Sequence, residues 1–138
     1  MSKDKLELAL KNFTNFKVDL KKFKIYIAKF LQKRIIKGRI CDLSILFVNK
    51  NTIRNLNKEY RKKDETTDVL SFNLGNGLGE IFINPFFNEI NKKKDNDKAI
   101  MFLIIHGLLH LLGFDDYNKK GMDKMIKKGE ELLNQCKL

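Results

Sequence analysis

Proline occurs once in these 138 residues, and cysteine and histidine occur twice each. With one proline, no internal repeat and no low-complexity tract, nothing in the sequence marks a linker, so a single domain is expected over residues 1–138. Cys41 and Cys136 have neither metal-type nor paired spacing. That excludes a disulfide framework and a cysteine zinc site, and both read as free thiols of a reducing cytoplasm. No apolar run reaches the roughly 20 residues a membrane span needs. The longest, Ala99 to Leu112, is 14 residues with both histidines inside it, and reads as a buried core helix. The polar start Met1-Ser2-Lys3-Asp4-Lys5 is not that of a signal peptide. The expected location is the cytoplasm, with no membrane partner.

Positive charge is abundant. Lysine and arginine exceed the acidic residues by 11, and only four of the cations are arginines. Such a surface attracts polyanions, RNA or DNA above all. An AT-rich genome would also enrich lysine, asparagine, isoleucine and phenylalanine without any selection for binding, so the charge needs a site beside it. Hydrophobic content of 43% and charged content of 33% are those of a globular chain able to bury a core.

The hydrophobic pattern predicts the elements. Lys5 to Lys11 alternates like a half-buried strand, and 12–15 reads as a turn. Asp19 is placed to cap a helix running to about Ile36, with Leu20, Phe23, Ile27, Phe30, Leu31 and Ile35 on one side. Leu43 to Val48 reads as a central strand, followed by a short helix capped by Asn51 or Thr52 and carrying Ile53, Leu56 and Tyr60. Strands are expected at 68–72 and 80–84, forming a hairpin across a glycine-rich turn at 73–79. Pro85 suits the first turn of a helix to Ile90. Asp95 or Asp97 is placed to cap the buried helix 98–112, and an amphipathic helix is expected at 118–134. The order βαβαββααα predicts an α/β or α+β domain with one sheet covered by helices.

Both histidines lie in the stretch His106-Gly107-Leu108-Leu109-His110-Leu111-Leu112-Gly113-Phe114-Asp115-Asp116. A spacing of four puts the imidazoles on one helical face, one turn apart. Gly113 is suited to end the helix in a left-handed turn and to bring Asp115 or Asp116 back as a third ligand. Two imidazoles and a carboxylate leave a position open, the arrangement of a catalytic rather than a structural metal. The spacing His-x-x-x-His-x-x-Gly-x-x-Asp is metzincin-like, but position 107 is glycine where such peptidases carry their glutamate base. A mid-helix glycine costs roughly 1 kcal/mol relative to alanine, so something must approach the backbone there, either a strand or a bulky substrate. Asp115 reads as a residue that orients a histidine, as a turn residue, or as a ligand in place of Asp116. The bland alternative is a pair of core histidines satisfied by backbone carbonyls.

This stretch resembles the signature of the YbeY endoribonuclease family, the bacterial rRNA maturation factors: H-G-x-L-H-L-x-G-[YF]-D-H. The stretch Leu56-Asn57-Lys58-Glu59-Tyr60-Arg61-Lys62-Lys63-Asp64-Glu65-Thr66-Thr67-Asp68-Val69-Leu70-Ser71-Phe72 is similar to the family's L-N-x-x-Y-R-x-K-D-x-x-T-[DN]-V-L-S-F. Gly79-Glu80-Ile81-Phe82-Ile83 looks like its G-[DE]-I-x-I strand. Together the matches run from about Leu43 to Glu131. The resemblance implies a mixed four-stranded sheet, zinc held by His106, His110 and the residue at 116, and a functional arginine at Arg61. It implies single-strand-directed endoribonuclease action in maturing the 3′ end of small-subunit rRNA and in ribosome quality control, with rRNA, the small subunit or its associated proteins as partners. Asp116 stands where the family usually has histidine.

The residues themselves agree with that chemistry. A divalent metal lowers the pKa of a water it holds and polarises a phosphoryl oxygen, and a guanidinium clamps such an oxygen bidentately. Arg61 is expected to act in this way, with Lys62 and Lys63 tracking the RNA backbone. Two rivals remain at this point: an rRNA-binding assembly factor with a structural metal, and a metallopeptidase.

Overall fold

The computed structural model describes residues 7–32, 40–86 and 96–111, together with residues 113, 120, 121, 123, 124, 127 and 131. A four-stranded mixed sheet is formed by β1 (Glu7–Asn12), β2 (Asp42–Phe47), β3 (Val69–Gly75) and β4 (Leu78–Ile83). Among the described residues it is flanked by the helices α1 (Leu20–Gln32), α2 (Lys50–Arg61) and α3 (Asn96–Leu111). The strand order is β1-β2-β4-β3. β1, β2 and β4 run parallel, with Leu43 opposite both Leu8 and Gly79, while β3 lies antiparallel at the edge, Leu70 opposite Phe82. No helix among the described residues is long and apolar enough to cross a membrane.

The period-2 alternation of the strands divides their side chains between two cores. Leu43, Ile45 and Phe47 of β2, and Ile81 and Ile83 of β4, join Phe23 and Ile27 of α1 and the buried residues of α3 in the larger one. On the other face, Leu46, Phe72 and Phe82 pack with Val48, Leu70 and Ile53, which belongs to α2. A sheet covered on both faces requires near-continuous apolar strands, which is how 43–48 reads in the sequence.

Local chemistry sets the boundaries. Asp19 caps α1, its Oδ1 accepting the Lys22 amide at 3.1 Å. The end expected near Ile36 lies outside the described residues. Asn49 precedes α2 in an extended conformation, so the helix begins before Asn51 and Thr52, and Asn49 makes no side-chain cap bond. The turn expected over 73–79 shrinks to Asn76-Gly77. Both have positive φ, 55° and 80°, the two-residue connection whose twist matches a hairpin, so the flanking residues extend the strands. A register shift between Asn73 and Gly75 absorbs the extra residue. α3 starts at Asn96, placing Asp97 in its first turn beside Lys22 of α1, to which it is ion-paired. The helix expected after Pro85 lies outside the described residues beyond Phe86. The described residues from 120 to 131 are helical, within the span expected for the last helix.

Candidate active site

The apolar run of 99–112 becomes a helix sunk into the core. From Ile100 to Leu111 every residue is buried except Phe102, His106 and His110. Spaced four apart, these three form one stripe, with ring centres 6.2 Å apart for Phe102 and His106 and 5.0 Å for His106 and His110. The rest of the helix is committed to packing, so this half-buried stripe is the part of α3 least covered by the core. Gly113 has φ +98° and donates its N–H to the His110 carbonyl at 3.0 Å, ending the helix in the left-handed conformation its glycine permits.

Position 107 faces the sheet. A Cβ there would lie 2.8 Å from Ile81 Cγ2 and 2.9 Å from Ser71 Oγ. A strand, not a substrate, is therefore what approaches the backbone, and Ser71 Oγ donates to the Gly107 carbonyl at 2.9 Å. A glutamate at 107 would be driven into Ile81 rather than toward the imidazoles, so the peptidase base lacks a place as well as a residue.

Arg61 closes α2. Lys62 follows in the left-handed region, φ 61°, and Lys63 donates its amide to the Asn57 carbonyl at 3.2 Å. That closure turns the chain into the 62–68 loop, and the loop leads into β3 on the edge of the sheet. Arg61, Lys63, Thr67 and Asp68 then share one cleft of about 210 Å³ with His106 and His110. Of the residues expected to act, Arg61, Lys63 and both histidines are brought together. Lys62 does not line the cleft; it occupies the capping position. Asp115 and Asp116 lie outside the described residues.

Two buried amides hold the loop. Asn57, 4% exposed, donates from Nδ2 to the Glu65 carbonyl at 3.0 Å. Asn84, 1% exposed, donates its backbone N–H to the Asp68 carbonyl at 2.9 Å and its Nδ2 to the Thr67 carbonyl at 3.3 Å. From outside, Arg54 Nε donates to Asp64 Oδ1 at 2.9 Å, and that bond lowers the Asp64 pKa from its ordinary 3.8. Neither amide is foreseen in the sequence as a site residue. The available signal was Asn57 itself, a polar residue one turn after Ile53 on the apolar face of α2.

The spacing of the histidine pair is compatible with a shared metal ion. Two imidazoles ligating one tetrahedral ion at about 2.1 Å have their ring centres about 5 Å apart, as these do. Among the described residues no third His, Cys, Asp or Glu joins them in a group able to hold an ion.

The sequence model of the family described as Endoribonuclease YbeY matches residues 9–137. Endoribonuclease YbeY of Pelagibacter ubique is 38% identical over 121 residues, covering 78% of this chain and 77% of the relative. That of Phytoplasma australiense is 33% identical over 145 aligned positions, covering 96% and 97%. The solution structure of TM1509 from Thermotoga maritima superposes with a TM-score of 0.63 at 26% identity, over 94% of this chain and 88% of that one. The fold, the cleft and these similarities agree, and the chain belongs to the YbeY endoribonuclease family.

Proposed function

We propose that this protein is a metal-dependent endoribonuclease that cuts single-stranded RNA in the maturation of the 3′ end of small-subunit rRNA and in ribosome quality control. The observation that carries the reading is the single cleft shared by Arg61, Lys63, His106 and His110. It holds an arginine, a residue type able to bind phosphate bidentately, and a lysine together with two imidazoles, a residue type able to ligate a metal. The names of the relatives support endoribonuclease activity, and the net charge of +11 supports a polyanionic substrate.

In this reading His106, His110 and Asp116 hold one divalent metal, zinc by donor type, and Asp115 orients an imidazole. Such an ion supplies Lewis-acid charge at a phosphoryl oxygen and lowers the pKa of water. The remaining work falls to the chain. Arg61 holds the scissile phosphate with two parallel N–H bonds and offsets the charge that develops on it. Lys63 places a second positive charge in the cleft for a neighbouring phosphate. The buried Asn57 and Asn84 hold the backbone of the loop after Arg61, so the stem of Lys63 need not be positioned when RNA arrives.

The experiment compares wild type with Arg61→Ala on a single-stranded rRNA fragment, on the same sequence in a duplex, and on casein. The reading expects cleavage of the single strand alone, lost in the variant. Cleavage of casein, or RNA binding with no cleavage in any context, would replace it with a peptidase or an assembly factor.

A further inference from the structure

Tyr60 immediately precedes Arg61 and is 62% exposed, a large aromatic left open to water at the end of a helix. It is nevertheless held. Its ring meets Phe72 at 5.5 Å and 70°, and Phe72 meets Phe82 at 5.8 Å and 79°. Phe72 and Phe82 pack against the buried cluster of Val48, Ile53 and Leu70. A row of edge-to-face rings thus runs from the core to the surface and ends on Tyr60.

That end is one residue away from Arg61, which lines the cleft. Leu70 and Phe72 share the α2 face of β3, while Ser71 between them meets the histidine helix on the other face, so Tyr60 and the histidines lie on opposite sides of this edge strand and Arg61 lines the cleft at its rim. The residue after Tyr60 is the arginine that lines the same cleft as the two histidines. An anchored aromatic beside a guanidinium matches one nucleotide of an unpaired strand, with its base on the ring and its phosphate on the cation.

We propose that Tyr60 is a stacking platform for an unpaired base of RNA, adjacent to the phosphate held by Arg61. The proposal rests on the endoribonuclease reading for the identity of its ligand. It gives that reading a source of single-strand preference. A base inside a duplex is already stacked on its neighbours, and only a strand free to splay a base out engages the ring. Stacking on an aromatic tolerates any base, so Tyr60 selects strandedness and not sequence.

The test measures binding of wild type, Tyr60→Phe and Tyr60→Leu to a single-stranded RNA oligonucleotide and to an abasic strand of the same length. The expected result is a loss on the order of tenfold for Tyr60→Leu on the base-bearing strand, near-wild-type binding for Tyr60→Phe, and no difference among the three on the abasic strand. A second readout needs no leucine variant. The chain has three tyrosines and no tryptophan, so its intrinsic emission is that of tyrosine. Wild-type emission is expected to be quenched by RNA, with that share of the quenching missing in Tyr60→Phe at equal affinity. Unchanged binding by Tyr60→Leu, an equal loss on the abasic strand, or the same quenching in Tyr60→Phe would each overturn the proposal. Binding by wild type without cleavage would sink the endoribonuclease reading while leaving the base-dependence of Tyr60→Leu to decide stacking. No binding by wild type would overturn both.

Discussion

Ser71 Oγ donates to the Gly107 carbonyl at 2.9 Å, and a Cβ on Gly107 would sit 2.9 Å from that same oxygen. The edge strand and the histidine helix are therefore in backbone-close contact one residue from His106. Gly107→Ala gains roughly 1 kcal/mol of helix propensity but forces a methyl against Ile81 Cγ2, a branch that cannot swing aside in a fully buried side chain. Overpacking of this kind costs about 1–3 kcal/mol, so a net loss of stability is expected in thermal unfolding. RNA cleavage is expected to fall with it, because the helix must shift where it carries His106.

Arg61 is exposed at a helix end, so its replacement should leave the fold intact. Arg61→Ala is expected to lower kcat/KM for RNA on the order of a hundredfold or more, the scale of losing one donor to a developing oxyanion. Arg61→Lys keeps the charge without the planar fork, and should fall between the two. Steady-state kinetics with matched unfolding curves check both.

Asn57→Ala removes the buried donor to the Glu65 carbonyl. Glu65 is exposed, so its carbonyl turns to water and the loss is that of one hydrogen bond, about 0.5–1.5 kcal/mol, expected in chemical denaturation. The loop carrying Lys63 and Thr67 should also loosen, which faster amide hydrogen exchange over 63–68 would report.

Asp64 supplies a pH-dependent contact. Its hydrogen bond to Arg54 lowers its folded pKa below the ordinary 3.8. The contact therefore stabilises the folded state above that ordinary value, and the contribution is lost as pH falls through the depressed one. Both partners are about half exposed, so the effect is small. In Arg54→Ala the Asp64 carboxyl titration, followed by NMR, is expected to move up toward 3.8.

The sequence carried the elements well because their signals are local. Alternation at Lys5–Lys11, the apolar run at Leu43–Val48, the Asp19 cap and the glycine after the histidine helix each act within a few residues. Strand order was not local: that β3 returns antiparallel to the edge depends on which strands bury which face, and the family resemblance rather than the pattern implied a mixed sheet. The tight Asn76-Gly77 turn was hidden among the neighbouring glycines. At the site, His106 and His110 stood out by residue type and spacing, and Arg61 through the family resemblance. Asn57 and Asn84 did not, since a buried amide declares its role only when the loop whose carbonyls it satisfies has folded over it.

The central claim is that the histidine pair holds a metal used to cleave RNA. The most direct test quantifies metal in purified wild type and His110→Ala, then measures cleavage of a single-stranded rRNA fragment with and without a chelator. The account predicts about one divalent ion per wild-type chain, cleavage abolished by the chelator and restored by adding metal back, and neither metal nor cleavage in His110→Ala at unchanged fold. Cleavage that persists in His110→Ala or in the presence of chelator would contradict it.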